Sequence, residues 1–305
     1  SIGGNAVPSA TQKLEYGLYC VGVFSFGPNT NRVRAYGQGA GETNSALAFG
    51  GYNPTNLAQT EEYNGQAWSE GGTMITARYS MAGTGTQNAA LSSFGSPAVT
   101  CTEEYDGSAW SAGGAGINAR QGVAGAGTQN ASVVFQGGTT TKCTVTEEYN
   151  GTAWSAGGAL ITARSFGAGT GTQNAALSVA GYTPTKTQTV EAYNGTSWAT
   201  SVSINGPGVN GNRSIGLQND AANFGGNDGP STVVVEVEKW NGVAWSFGSP
   251  VLLGVREPNA SDGAPSSNSF LFANGLNTPV RVNYTQIQEM DNPVNRGIYC
   301  FTKTL

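Results

Sequence analysis

The chain contains no histidine. That single absence removes the commonest general base, the commonest metal ligand and any Ser-His-Asp arrangement. Charge is also sparse. Lys, Arg, Asp and Glu make up 11% of 305 residues, and 14 basic side chains face 19 acidic ones for a net −5. No run of Lys or Arg occurs, so nucleic acid is not an expected partner. Only four cysteines are present, Cys20, Cys101, Cys143 and Cys300, and none forms a CxxC pair, so there is no Cys/His zinc set. No apolar run approaches the ~18 residues of a membrane-crossing helix, and membrane insertion is not expected. No basic segment leads into an apolar one near the start, so the sequence leaves the signal-peptide question open. The composition implies no cofactor and no enzymatic activity.

Glycine, by contrast, is abundant at 46 residues, and aromatics reach 10%. Gly, Ser, Thr and Asn with enough aromatic and aliphatic residues for a core suit short strands joined by tight turns.

A block of about 44 residues recurs through the chain, and repeats of this length built of short β segments mean a propeller or a solenoid. An Arg opens each unit, at Arg34, Arg78, Arg120, Arg164, Arg213 and Arg256, with intervals of 44, 42, 44, 49 and 43. A Tyr and a Trp close it: Tyr63/Trp68, Tyr105/Trp110, Tyr149/Trp154 and Tyr193/Trp198, with Trp245 in the fifth unit. The sixth unit has no Trp, and Tyr299 is its nearest substitute.

Each unit reads as four strands. The first is Gly-rich (Met81-Ala-Gly-Thr-Gly), the second apolar (Ala175-Ala-Leu-Ser-Val), the third alternates toward Tyr (Thr146-Glu-Glu-Tyr149), and the fourth carries Ala-Trp-Ser. A glycine-rich strand suits a crowded axis, where backbones must approach closely. Strands three and four are joined by Asn64-Gly65, Asp106-Gly107, Asn150-Gly151, Asn194-Gly195 and Asn241-Gly242. Such pairs between alternating strands predict hairpins with type I′ turns.

The fold class expected is therefore all-β: a six-bladed β-propeller of four antiparallel strands per blade, with seven blades as the alternative. Residues 1–31 are expected to be an N-terminal arm with ring-closing strands, 32–282 the blades, and 283–305 either the last strands of the final blade or a docking tail. Ring closure runs one of two ways. Either Leu14–Cys20 supplies degenerate strands to the blade begun at Arg256, or residues 256–305 form a whole blade alone. Closure brings the chain ends together, which makes Cys20 and Cys300 a candidate disulfide, the alternative being small buried hydrophobes.

The acidic pairs Glu61-Glu62, Glu103-Glu104 and Glu147-Glu148 are not dyads, because adjacent strand residues point to opposite faces. One Glu is expected to face water and the other to meet the repeat Arg of a neighbouring blade, so the Arg residues read as blade–blade ties. The repeated Trp residues read as core between blades rather than sugar-stacking platforms. Asn219–Asp228 is rich in Asp and Asn but lacks a calcium-loop spacing and reads as a plain loop. The repeat breaks at 1–31, Ile204–Arg213, Asn219–Ser231 and Pro258–Ser269, and a partner-specific surface is expected there.

The order of glycine pair, Glu-rich strand, Tyr, Trp and Ala-Arg resembles the kelch repeat. Gly50-Gly51 and Gly137-Gly138 stand at its diglycine, and Ala77-Arg78, Ala119-Arg120 and Ala163-Arg164 at its downstream Arg. The resemblance covers roughly residues 34–250. It implies a propeller, but the copper chemistry of kelch-like oxidases needs histidine ligands absent here. Near-identical, Gly/Thr/Asn-rich copies also resemble those of bacteriophage and marine viral structural proteins. That second resemblance implies a non-enzymatic structural or adhesion component of a virus particle, such as a phage tail, fibre or surface appendage. Its partners would be other virion subunits gripped through the terminal arms in a multi-copy assembly, and a host glycan. A secreted, extracellular lectin-like propeller is the alternative, and a glycosidase of the sialidase kind ranks below both.

Overall fold

The computed structural model describes residues 23–229, 232–251, 259–260, 270–273, 276–277, 280–281 and 285–289. The repeat builds five blades of four antiparallel strands, each a meander in chain order. Their innermost strands are Gln38–Glu42, Ala82–Thr86, Ala124–Thr128, Ala168–Thr172 and Asn210–Leu217. Their outermost strands are Trp68–Glu70, Trp110–Ala112, Trp154–Ala156, Trp198–Ser201 and Trp245–Phe247.

Five blades correct the expectation of six or seven. The unit that begins at Arg256 follows the spacing but not the plan. Its described strands Asn259–Ala260, Phe270–Ala273 and Thr285–Glu289 form a sheet whose fourth strand is Val23–Gly27, from the other end of the chain. Val23 pairs with Glu289 and Gly27 with Thr285. This sheet lacks the Tyr–Trp pair of the repeat, because no Trp follows Trp245 in the sequence. It packs on the first blade, where Leu271 and Ala273 join Ala46, Ala48, Tyr63 and Trp68 in one apolar cluster. A two-stranded ribbon, Leu276–Asn277 with Val280–Arg281, stands apart from it. Arg256, Cys20, Tyr299, Cys300 and the segment Leu14–Cys20 lie outside the described residues; Cys101 and Cys143 are free thiols.

The core lies between blades, not within them. Leu47 and Phe49 of the first blade pack with Ala90, Tyr105 and Trp110 of the second. Leu91 and Phe94 of the second meet Val134, Tyr149 and Trp154 of the third. Each Trp sits against an aromatic of the blade before it at the first two joints and the third: Trp110 on Phe49 at 5.0 Å, Trp154 on Phe94 at 5.1 Å and Trp198 on Phe135 at 4.7 Å. Its indole N–H donates to that blade's Thr60, Thr102 or Thr146 hydroxyl at 2.9 Å. At 6–8% exposure these rings are core, not platforms open to a ligand.

The innermost strands need glycine for close approach. A β-carbon on Gly169 would stand 2.6 Å from the Gly125 carbonyl oxygen of the neighbouring blade. The outer hairpins differ from the type I′ turns expected. Tyr149 pairs directly with Trp154, leaving a four-residue loop in which only Gly151 has positive φ, at +89°. Asn150 Oδ1 caps it instead, accepting from the N–H groups of Thr152 and Ala153 at 3.0 and 2.9 Å. Asn and Asp favour this local turn because their side chains mimic a backbone acceptor.

Candidate functional site

The buried charges of the blades are the natural place to look for chemistry. Arg34, Arg78, Arg120 and Arg164 are all fully enclosed, and each forms an ion pair with the first Glu of its own blade: Glu61, Glu103, Glu147 and Glu191. This corrects the reading of the Arg residues as ties between neighbouring blades. Cross-strand register explains it. Glu191 stands opposite Ser178, and Arg164 donates to both, reaching Glu191 Oε1 at 3.1 Å and the Ser178 carbonyl at 3.4 Å. A third acceptor, the Thr189 carbonyl, takes the other guanidinium nitrogen at 3.1 Å. Arg78 uses the Ser92 carbonyl and hydroxyl at 3.1 and 2.9 Å, and Arg120 the Val134 carbonyl at 3.2 Å. Burial pushes Arg34, Arg78 and Arg164 below the usual guanidinium range, while the partnering carboxylates pull them back.

Glu103, Glu147 and Glu191 also collect two loop N–H groups each. Glu103 accepts from Ile75 at 2.7 Å and Thr76 at 3.1 Å, and Glu191 from Ile161 at 2.8 Å and Thr162 at 3.2 Å. The acid therefore fixes both the Arg and the turn that precedes the blade. Buried and fully engaged, such a carboxylate is poorly placed to accept a substrate proton.

The second Glu of each pair makes the joint between blades, where solvent exposure was expected. Tyr105, Tyr149 and Tyr193 each donate to Glu62, Glu104 and Glu148 of the preceding blade at 2.5 Å. Burial, then the bonded carboxylate, raises the three phenols to about 12. A further clasp went unread in the sequence. Gln87, Gln129, Gln173 and Gln218 each reach back to two carbonyls of the blade before; Gln173 donates to Ser132 at 3.1 Å and Tyr149 at 2.8 Å.

Arg213 is not a member of the Arg series. It lies within an innermost strand opposite Phe224, as Ala168 lies opposite Val179. The position equivalent to Arg164 is Val209, which bridges Thr187 as Arg164 bridges Cys143. The turn after Ile204 is one residue longer than the turn after Leu160, and Arg213 stands four residues beyond Val209, which together stretch the interval to 49. Arg213 instead reaches the Gly37 carbonyl at 3.3 Å, joining the fifth blade to the approach of the first. It borders a small axial cavity lined by Gln38, Gly83, Gly125 and Gly169 from the other four blades. The Asn219–Asp228 stretch is neither calcium loop nor plain loop: Asp220–Asn227 is a strand buried almost throughout. Among the described residues, no three Cys, Asp or Glu side chains stand together as a metal site. The glycine pairs also differ in register. Gly51 and Gly137 are the equivalent residues, each donating its N–H to the carbonyl of the next Arg, so Gly137-Gly138 is displaced by one from Gly50-Gly51.

The surface carries its own repeat. Ile75, Ile117 and Ile161 occupy the same turn in three successive blades and are 62%, 54% and 58% exposed. No protein-family model matches this chain, and no curated protein sequence does.

Proposed function

We propose that the chain is a non-enzymatic structural or adhesion component of a virus particle, a rigid kelch-like propeller that docks onto other virion subunits. The observation that carries this reading is the row of exposed isoleucines. Large aliphatic side chains displayed at one repeated place offer an apolar docking face on a rigid ring, and exposed apolar patches mark interaction surfaces. The buried charge points the same way. In four blades every repeat Arg and its Glu serve as internal fasteners, which suits a scaffold better than a reaction site. The terminal segments remain the proposed grips on neighbouring subunits. The kelch-like affiliation rests on the order of Glu, Tyr, Trp and Ala-Arg along the repeat.

A lectin-like function draws less support, since the repeated Trp rings are buried between blades. Quantitative mass spectrometry of particles purified from the source culture tests the proposal. The chain should co-sediment at a fixed copy number per particle. Recovery in the particle-free fraction alone would overturn it.

A further inference from the structure

The fifth blade keeps the socket of the repeat but not the arginine that fills it. Val209 stands where Arg164 stands one blade earlier, and its carbonyl accepts from Gly181 as that of Arg164 accepts from Gly137. A valine ends at its γ-carbons and carries no donor. The acceptor positions persist. Glu238 lies opposite Asn223 as Glu191 lies opposite Ser178, and Glu236 precedes Glu238 by two residues as Thr189 precedes Glu191. Glu238 also holds the pose of its counterparts, accepting from the Asn205 N–H at 2.6 Å and the Gly206 N–H at 3.0 Å. Among the described residues, no Lys or Arg forms an ion pair with it.

A small recess with room for about one water molecule lies beside Val209, where the longer side chain would run. It is lined by Val209, Asn223, Glu236 and Glu238, with Ile204 and Gly206 from the preceding turn. Pro207 and Glu236 at its border are exposed, so it opens toward solvent. Glu238 itself is only 3% exposed. An enclosed carboxylate without a cation is costly, and four blades of this same chain show what group such a socket holds.

We infer that this cavity is a binding site for a guanidinium group supplied from outside the chain. The group would donate to Glu238 and to the strand positions of Asn223 and Glu236, as the Arg164 side chain donates to Glu191, Ser178 and Thr189. Planar donors in a fixed fork suit this acceptor set better than a spherical ammonium does. Burial, with a smaller push from Glu236, raises the Glu238 carboxyl above its ordinary range, and an arriving cation opposes that rise. Two sources share the chemistry: a small free guanidinium compound, and an arginine side chain on a partner protein.

Amide NMR of the whole chain during titration with methylguanidinium chloride, against sodium chloride at equal ionic strength, tests the site. The Asn205 and Gly206 amides should shift saturably. The Ile161 and Thr162 amides, whose socket already holds Arg164, should not, and they also report that the fold is intact. Val209→Arg fills the socket from within and should abolish the shifts; Glu238→Gln should weaken binding at least tenfold. A Gly-Arg-Gly peptide forms the second arm. Binding of the peptide as well assigns the site to a partner's arginine, and binding of methylguanidinium alone assigns it to a small molecule. Absence of saturable shifts at Asn205 and Gly206, or shifts that survive Val209→Arg, would overturn the inference.

Discussion

Replacing Arg78 by Met takes the guanidinium away from Glu103 and leaves that carboxylate enclosed. The side chains of Arg78 and Glu103 are 0% and 3% exposed, so water cannot stand in for the lost partner. Removing one member of a buried pair costs about 3–5 kcal/mol. Glu103 retains its bonds from Ile75 and Thr76, which favours the lower end of that range. Two further acceptors, the Ser92 carbonyl and hydroxyl, lose their donor and add to the loss. At roughly 2–4 °C per kcal/mol for a domain approaching this size, the melting temperature should fall by about 6–12 °C. Adding Glu103→Gln to Arg78→Met should recover most of the deficit, since a buried pair replaced as a unit is often near neutral. Calorimetry of the wild type, both single variants and the double variant at pH 7 closes the cycle. A single-variant loss below ~1 kcal/mol, or a double variant no better than Arg78→Met, would refute the view that these pairs fasten the blades from within.

Four other outcomes follow from the same geometry. Tyr149→Phe removes the 2.5 Å bond to Glu104 across a blade joint and should cost about 1–2 kcal/mol by thermal denaturation. The phenol of Tyr149, raised to about 12, is protonated more tightly folded than unfolded. Its contribution is therefore complete below ~10 and fades as pH rises through about 12, which ultraviolet titration of tyrosinate beside stability measurements will follow. Glu238 is raised in the same sense, so without added guanidinium the wild type should lose stability as pH climbs from ~4.3 through the folded-state value, and Glu238→Gln should flatten that slope in urea melts at stepped pH. Ile117→Asp, on an exposed turn, should change stability by no more than ~0.5 kcal/mol yet reduce the copy number recovered with particles.

Much of the blade was legible because its signals are local. The Gly-rich run at Ala168–Thr172, the Thr-Glu-Glu-Tyr strand and the capped Asn-Gly corner each depend on a few neighbouring residues. Blade count was not legible, because Arg256 keeps the interval while the strands after it recruit Val23–Gly27 from the far end of the chain. No local pattern announces that pairing. Arg213 misled for a related reason: an Arg at roughly the right interval outweighed the frame of the repeat. The Gln clasp carried the better signal. Gln87, Gln129 and Gln173 each follow the repeat Arg by nine residues, and counting back from Gln218 lands on Val209. The partner of each Glu was also out of reach, since alternation places the two acids on opposite faces but does not say that Tyr149 of the next blade covers Glu104.

Cryo-electron microscopy of purified particles, at a resolution that separates strands, tests the docking account most directly. The account predicts five-bladed rings at fixed, symmetry-related positions, with the face bearing Ile75, Ile117 and Ile161 seated on a neighbouring subunit. Particles without such rings, or rings whose isoleucine face is turned to solvent, would contradict it.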